Sequence, residues 1–128
     1  MCWGYDNRTS AVRIPASHPG ARRIEHRVAG GDINPYLLLS VILGAALYGI
    51  QTEMTPPYPI KGNSYEQDLP KFAPSCEAAI NSFQHDQLIA HIFPKTLIEN
   101  LCLTKQQELS VLAGIKVTEH WRTFLETV

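Results

Sequence analysis

The sequence lacks any bulk excess of charge. Eleven Lys and Arg stand against twelve Asp and Glu over 128 residues, a formal net charge of −1. Neither nucleic acid nor an anionic membrane is therefore suggested as a partner. Cysteine is scarce: Cys2, Cys76 and Cys102 form an odd, scattered set without metal-type spacing. Such a set fits reduced thiols in a cytoplasmic protein better than a disulfide frame. The opening stretch Met1–Gly20 is polar and has no apolar core of the kind that marks a secretory leader. Gly30-Gly31 lacks the strand–GxxxxGK–helix context of a phosphate loop. One apolar run, Tyr36–Ile50, carries no charged residue. As a helix it spans roughly 23 Å, short of the ~30 Å hydrocarbon layer, so no membrane crossing is expected.

What remains is a chain with 45% hydrophobic residues, long enough for one ordinary domain with a core. No internal repeat or low-complexity stretch breaks it. Charge is nonetheless uneven. Arg8, Arg13, Arg22, Arg23 and Arg27 lie against one acid, Glu25, within residues 8–27, which suggests a local anion site.

Residues 8–33 read as two short strands around a turn. Val12 and Ile14 alternate with Arg13 before Pro15 ends the run, and Ser17-His18-Pro19-Gly20 is turn chemistry. In Arg22–Val28, Ile24, His26 and Val28 alternate with Arg23, Glu25 and Arg27. Asn34-Pro35 is a helix start, with Asn as cap and Pro in the first helical position. The helix that it opens is expected to be buried on nearly all sides, which asks for more cover than this short chain easily provides. Residues 51–74, rich in Pro and polar residues, read as a long loop, a kind that is often functional or wrapped on a neighbour. Ser75 and Asp86 are expected to cap two short helices. A longer helix starts after Pro94, with Leu97, Ile98, Leu101, Leu109 and Leu112 on one face and Gly114 at its end. Thr118 is expected to cap a last helix anchored in the core by Trp121 and Phe124, with Leu125 and Val128 at the same spacing. The fold class is thus α+β, a short antiparallel β pair over residues 1–33 followed by a mainly α-helical region over 34–128.

The chemistry-bearing residues are Arg13 on the first run and Arg23, Glu25 and Arg27 on the second. Residues two apart on a strand lie about 6.6–6.8 Å apart on one face. Guanidiniums at that spacing can flank a carboxylate without all three collapsing into one ion pair. The carboxylate could meet a divalent cation and the planar guanidinium forks could meet phosphate or carboxylate oxygens. A single carboxylate is a poor metal site alone, since Mg2+ or Mn2+ needs further oxygen ligands. From spacing alone, a solvated strand face with Arg–Glu pairs stays open as the plainer alternative.

The wording narrows this. Asn7-Arg8 followed by Arg13-Ile14-Pro15 resembles the Asn-Arg…Arg-Ile-Pro signature of the glutamine synthetase family. Arg22-Arg23-Ile24-Glu25-His26-Arg27 resembles that family's Arg-Arg-Ile-Glu-x-Arg signature. Asn34-Pro35-Tyr36-Leu37 and the apolar helix ending in Leu47-Tyr48-Gly49-Ile50 resemble the family's next segment, and Leu69-Pro70 with the helix from Ser75 resembles its tail. The stretch Glu25–Asp32 resembles the γ-glutamylpolyamine branch.

The resemblance implies a ligase that uses ATP and Mg2+ or Mn2+, acting on glutamate and ammonia or an amine, in a homo-oligomeric ring. It implies that Glu25 is a metal ligand and that Arg27 holds the amino-acid carboxylate. It implies that Arg8 reaches both ATP phosphate and substrate, that Arg13 and Arg23 lie on the nucleotide side, and that Arg8 and Arg13 serve catalysis. Such a reaction makes an acyl phosphate from the glutamate γ-carboxyl and ATP, after which an amine displaces phosphate. Catalysis is then mainly positioning and charge neutralisation. Gly20 stands where many members carry Lys before Ala-Arg-Arg, which implies one ATP contact fewer. The family's small domain, its other metal carboxylates and its amine site are expected upstream of residue 1. The chain is therefore expected to act as the C-terminal part of a catalytic domain that is inactive alone, or as an interaction subunit that joins a complete relative.

Overall fold

The computed structural model describes residues 2–31 and 33–125. It divides into two compact units, Met1–Leu38 with Ala46–Phe72, and Leu39–Ala45 with Ala73–Val128.

The first unit is built on a three-stranded sheet in the order β1 (Trp3–Tyr5), β2 (Val12–Ile14), β3 (Glu25–His26). The expected antiparallel pair is β2 with β3, registered so that Arg13 faces Glu25 and Val12 faces His26. Two features depart from the sequence reading. A further strand, β1, pairs parallel to β2 with Trp3 opposite Val12. The run expected over Arg22–Val28 is a strand only at Glu25–His26, because its partner β2 has only three residues to offer.

The long loop is tied to this sheet. Ile60 N–H donates to the Trp3 carbonyl at 2.8 Å, Trp3 Nε1 to the Pro57 carbonyl at 2.7 Å, and Asn7 Nδ2 to the Gly62 carbonyl at 2.8 Å. Ser64, buried at the start of a 3-10 turn (Ser64–Glu66), is fastened twice: its N–H donates to Thr9 Oγ1 at 2.9 Å and its hydroxyl to the Thr9 carbonyl. Gly4 permits this wrapping, since a Cβ there would meet Asn7 Cβ and the Ile60 carbonyl at 3.0 Å.

Helix α1 (Pro35–Gln51) begins as its sequence dictates. Asn34 Oδ1 accepts from Tyr36 N–H at 3.0 Å and Leu37 N–H at 3.2 Å, with Pro35 in the first turn. Its burial does not follow expectation, for none of its residues is buried. Tyr36, Leu39, Leu43, Leu47 and Ile50 recur at steps of three and four, so they share one face, and all are exposed, Ile50 at 75% and Leu43 at 67%. The composition asks for cover that the described residues do not supply. At 17 residues α1 is about 26 Å long; among the described residues no helix is long and apolar enough to cross a membrane.

An apolar stripe of this kind drives association. The chain alone is expected to self-associate and to bind a hydrophobic dye, and Leu43→Lys with Ile50→Glu to reduce both. Sedimentation velocity and dye fluorescence read this out. A monodisperse, dye-silent parent chain would sink the expectation.

The second unit is helical: α2 (Cys76–His85), α3 (Gln87–Ile92), α4 (Lys95–Ala113) and α5 (His120–Phe124). Ser75 Oγ caps α2 by accepting from Ala78 N–H at 3.2 Å. Asp86 Oδ1 caps α3 by accepting from Leu88 and Ile89 N–H at 2.8 and 3.0 Å. The core is small. Ile80, Phe93, Ile98 and Cys102 are the buried hydrophobic residues among those described. A Cβ at residue 44 would meet Ile92 at 2.7 Å, so glycine lets α1 approach α3 within this unit.

The end of the chain departs from expectation. Thr118 lies within a 3-10 turn (Val117–Glu119), and α5 starts without a side-chain cap. Trp121 is 57% exposed rather than a core anchor. Its Nε1 donates to the Thr118 carbonyl at 2.9 Å, and the Arg122 guanidinium lies 5.3 Å from its ring centre. Val128 lies outside the described residues.

Candidate functional site

The strand pairing brings Arg13 and Glu25 together directly. Arg13 Nη1 donates to Glu25 Oε2 at 3.0 Å, and Arg23 Nη2 donates to Glu25 Oε1 at 3.2 Å, so both carboxylate oxygens are engaged. Arg13 also reaches Asp6, donating from Nη2 to Oδ1 at 2.9 Å. Asp6 sits at φ 48° in the turn after β1, a conformation that aspartate tolerates better than most residues. There the same Oδ1 accepts from Ala16 N–H at 2.9 Å. Asp6 is a site neighbour that the sequence reading missed. Its signal is a short acidic residue at the end of a strand, a common turn former.

These contacts set the electrostatics. Burial opposes ionisation of Glu25, but the hydrogen bond from Arg13 and the charges of Arg13 and Arg23 outweigh it and hold the carboxyl below its ordinary value. Asp6 is held down by the Ala16 N–H and then by Arg13. Arg13 is raised by Glu25 against the cost of burial, with Asp6 adding to the rise. The cluster is an ionised row, acid–arginine–acid–arginine, whose central guanidinium belongs to a side chain only 15% exposed.

Arg8 and Arg27 make no ion pair with that row, although the charge of Arg8 helps to hold Asp6 ionised. They line a cleft of about 540 Å³ between the sheet region and the long loop, with Thr9, Tyr65, Lys71 and Phe72. Arg27 is placed by its own backbone, whose N–H donates to the Ala11 carbonyl at 2.9 Å just past β3. The five residues singled out from the sequence thus fall into two groups within one unit: Arg13, Arg23 and Glu25 in the ion-pair row, Arg8 and Arg27 in the cleft. The loop wall of the cleft escapes a local reading, because it arrives from a separate and later part of the chain.

Do these residues fit a divalent cation? Glu25 is a single carboxylate with both oxygens taken by arginines. Among the described residues no group of three or more His, Cys, Asp and Glu could hold a metal ion. By themselves they do not fit one. His26, half-buried beside Glu25, leaves Nδ1 without a hydrogen-bond partner, and His18 Nδ1 accepts from Gly20 N–H at 3.3 Å in the turn Pro19–Ala21. The three cysteines are free thiols.

The sequence profile described as "Glutamine synthetase, catalytic domain" matches residues 1–122. The chain is 37% identical over 110 residues to glutamate–isopropylamine ligase of a Pseudomonas species, covering 84% of this chain and 24% of that enzyme. It is 34% identical over 93 residues to γ-glutamylethanolamide synthetase of Streptomyces coelicolor, covering 73% of this chain and 20% of the relative. To γ-glutamylputrescine synthetase of Escherichia coli it is 42% identical over 66 residues, 52% of this chain and 14% of the relative. The chain thus spans a quarter or less of the length of these three relatives. With the Asn-Arg…Arg-Ile-Pro and Arg-Arg-Ile-Glu-x-Arg segments folded into one sheet and its adjoining cleft, the chain belongs to the glutamine synthetase family, through its catalytic domain.

Proposed function

We propose that this chain supplies the arginine-rich C-terminal wall of an ATP-dependent carboxylate–amine ligase site. The reaction joins a glutamate γ-carboxyl to ammonia or an amine. A carboxylate oxygen attacks the γ-phosphorus of ATP and ADP leaves; the amine nitrogen then attacks the acyl carbon, phosphate departs and the amine gives up a proton. Arg13 and Arg23 face the nucleotide, and Arg13 with Arg8 offsets charge as the phosphoryl group moves. Arg8 and Arg27 hold the anionic ends of the substrates. Glu25 is the one carboxylate offered to Mg2+ or Mn2+, with the remaining ligands coming from residues outside this chain. The observation that carries the reading is the split of the arginines: two neutralised by Glu25, two left facing a cleft. Names of the relatives support an alkylamine, ethanolamine or polyamine as readily as ammonia. A homo-oligomeric ring is proposed as the setting.

The exposed stripe of α1 favours a second reading, an incomplete subunit that associates with a full-length relative. Sedimentation of the chain with and without such a relative separates the two.

Two assays test the ligase reading. The 128-residue chain is expected to give no glutamate- and amine-dependent release of phosphate from ATP. Fused behind the upstream portion of the isopropylamine ligase, it is expected to restore turnover. A folded fusion without activity would reject the ligase role. Turnover by the lone chain, abolished by Glu25→Ala, would reject its incompleteness.

A further inference from the structure

We infer that Lys71 is a third anion-binding cation of the cleft, placed by the long loop to hold phosphate oxygens opposite Arg8 and Arg27. The inference rests on the proposal that those two arginines serve the substrates, and adds to it a residue from another part of the chain.

The first ground is charge. The cleft is lined by three cations, Arg8, Arg27 and Lys71, and by no Asp or Glu among the described residues. Elsewhere in this unit Arg13 pairs with Asp6 and Glu25, and Arg23 with Glu25, while Arg22 makes no salt bridge among the described residues. None of Arg8, Arg27 and Lys71 makes a salt bridge among the described residues. Arg8 feels the Asp6 carboxylate without pairing with it; three cations without an ion-pair partner around one space repel one another, and an anion entering it relieves all three.

The second ground is that three hydroxyls of the cleft, those of Thr9, Ser10 and Ser64, are already committed. Thr9 Oγ1 donates to Asn7 Oδ1 at 2.7 Å and accepts from Ser64 N–H at 2.9 Å. The Ser10 hydroxyl contacts the carbonyls of Asn7 and Val12 at 2.7 and 2.8 Å, and that of Ser64 donates to the Thr9 carbonyl. Thr9 and Ser64 fasten the loop, Ser10 holds the turn before β2, and the cations are left for a ligand.

The third ground is placement. The loop is pinned at Ser64 and braced by Gln67, whose Nε2 donates to the Lys61 carbonyl at 2.8 Å and the Asn63 carbonyl at 3.2 Å. Lys71 lies four residues further along the loop, and it lines the cleft from the loop side while the arginines line it from the sheet region. A lysine ammonium is a compact point charge suited to phosphate. The acid-free lining also bears on the ligand: Arg27 can take a substrate carboxylate, but no acid beside Lys71 receives an ammonium, so phosphate oxygens suit Lys71 best.

Isothermal titration of the full chain with inorganic pyrophosphate, and separately with glutamate, tests this. Lys71→Gln is expected to weaken pyrophosphate about tenfold, the loss of one charge-assisted contact, and to leave glutamate within about twofold. Lys71→Arg is expected to restore most of the loss, and Lys105→Gln, on α4, to change nothing. Circular dichroism confirms that the variants fold. If Arg8→Ala and Arg27→Ala abolish pyrophosphate binding while Lys71→Gln does not weaken it, Lys71 is rejected and the arginine reading stands. If all three leave it unchanged, or the parent chain binds no pyrophosphate, the inference and the arginine roles fall together. Equal weakening of glutamate by Lys71→Gln would overturn the phosphate assignment.

Discussion

Ile98→Ala is expected to unfold most of the helical unit at room temperature. Ile98 is 6% exposed near the start of α4, and truncating a buried isoleucine costs about 2–5 kcal/mol through lost transfer energy and the cavity left behind. That loss must be set against what the unit has. Domains of this size are stable by only a few kcal/mol. Here the buried hydrophobic residues among those described are Ile80, Phe93, Ile98 and Cys102, which puts the unit toward the low end. Ile98→Val removes one methyl group and is expected to cost only about 0.5–1.5 kcal/mol. Far-UV circular dichroism against urea measures both. An unchanged midpoint for Ile98→Ala would mean that the unit is not held by this cluster.

The features legible in the residues and those that are not divide along physical lines. Helix starts at Asn34, Ser75 and Asp86 are legible because a cap is a side chain bonding to backbone two or three residues away. The Arg13–Glu25–Arg23 row is legible from alternation on two short strands, since pairing β2 with β3 sets Arg13 opposite Glu25. β1 is not, because Trp3-Gly4-Tyr5 is too short for a period and its pairing with β2 is parallel. The cleft is not, because its second wall arrives through bonds such as Ser64 to Thr9 that no local pattern announces. Helix α1 shows a different limit. Its composition suits a buried place, but composition cannot say whether the covering residues lie in the same chain. Thr118 and Trp121 mislead for a related reason: a threonine before an amphipathic stretch can cap a helix, yet the chain tightens into a 3-10 turn there and leaves the indole outside.

Glu25→Gln is expected to act twice, once on the fold and once on catalysis, and pH separates the two. In the folded chain the Glu25 carboxyl is held below its ordinary value of 4.5, because Arg13 and Arg23 outweigh the burial that opposes ionisation. A carboxyl depressed on folding contributes stability that is complete above the unfolded value and disappears progressively as pH falls from there through the folded one. The melting temperature of the parent chain should therefore exceed that of Glu25→Gln most at about pH 6–7, and the gap should close as pH drops well below 4.5. Asp6, depressed from 3.8, keeps its own acid dependence in the variant. Trp3 fluorescence reports the sheet if Trp121 is replaced by Phe. A gap that stays constant down to acid pH would show that Glu25 acts by shape and not by charge. Glutamine keeps the size of the side chain and can still accept from Arg13, so the sheet should survive near neutrality. In the fusion enzyme the same change removes the negative charge on which the proposed cation and both arginines depend, and kcat is expected to fall at least about a hundredfold, the scale on which one preorganised electrostatic partner matters. A Glu25→Gln fusion that melts normally near neutrality yet turns over like its parent would remove Glu25 from the chemistry and leave it as the counter-ion of Arg13 and Arg23.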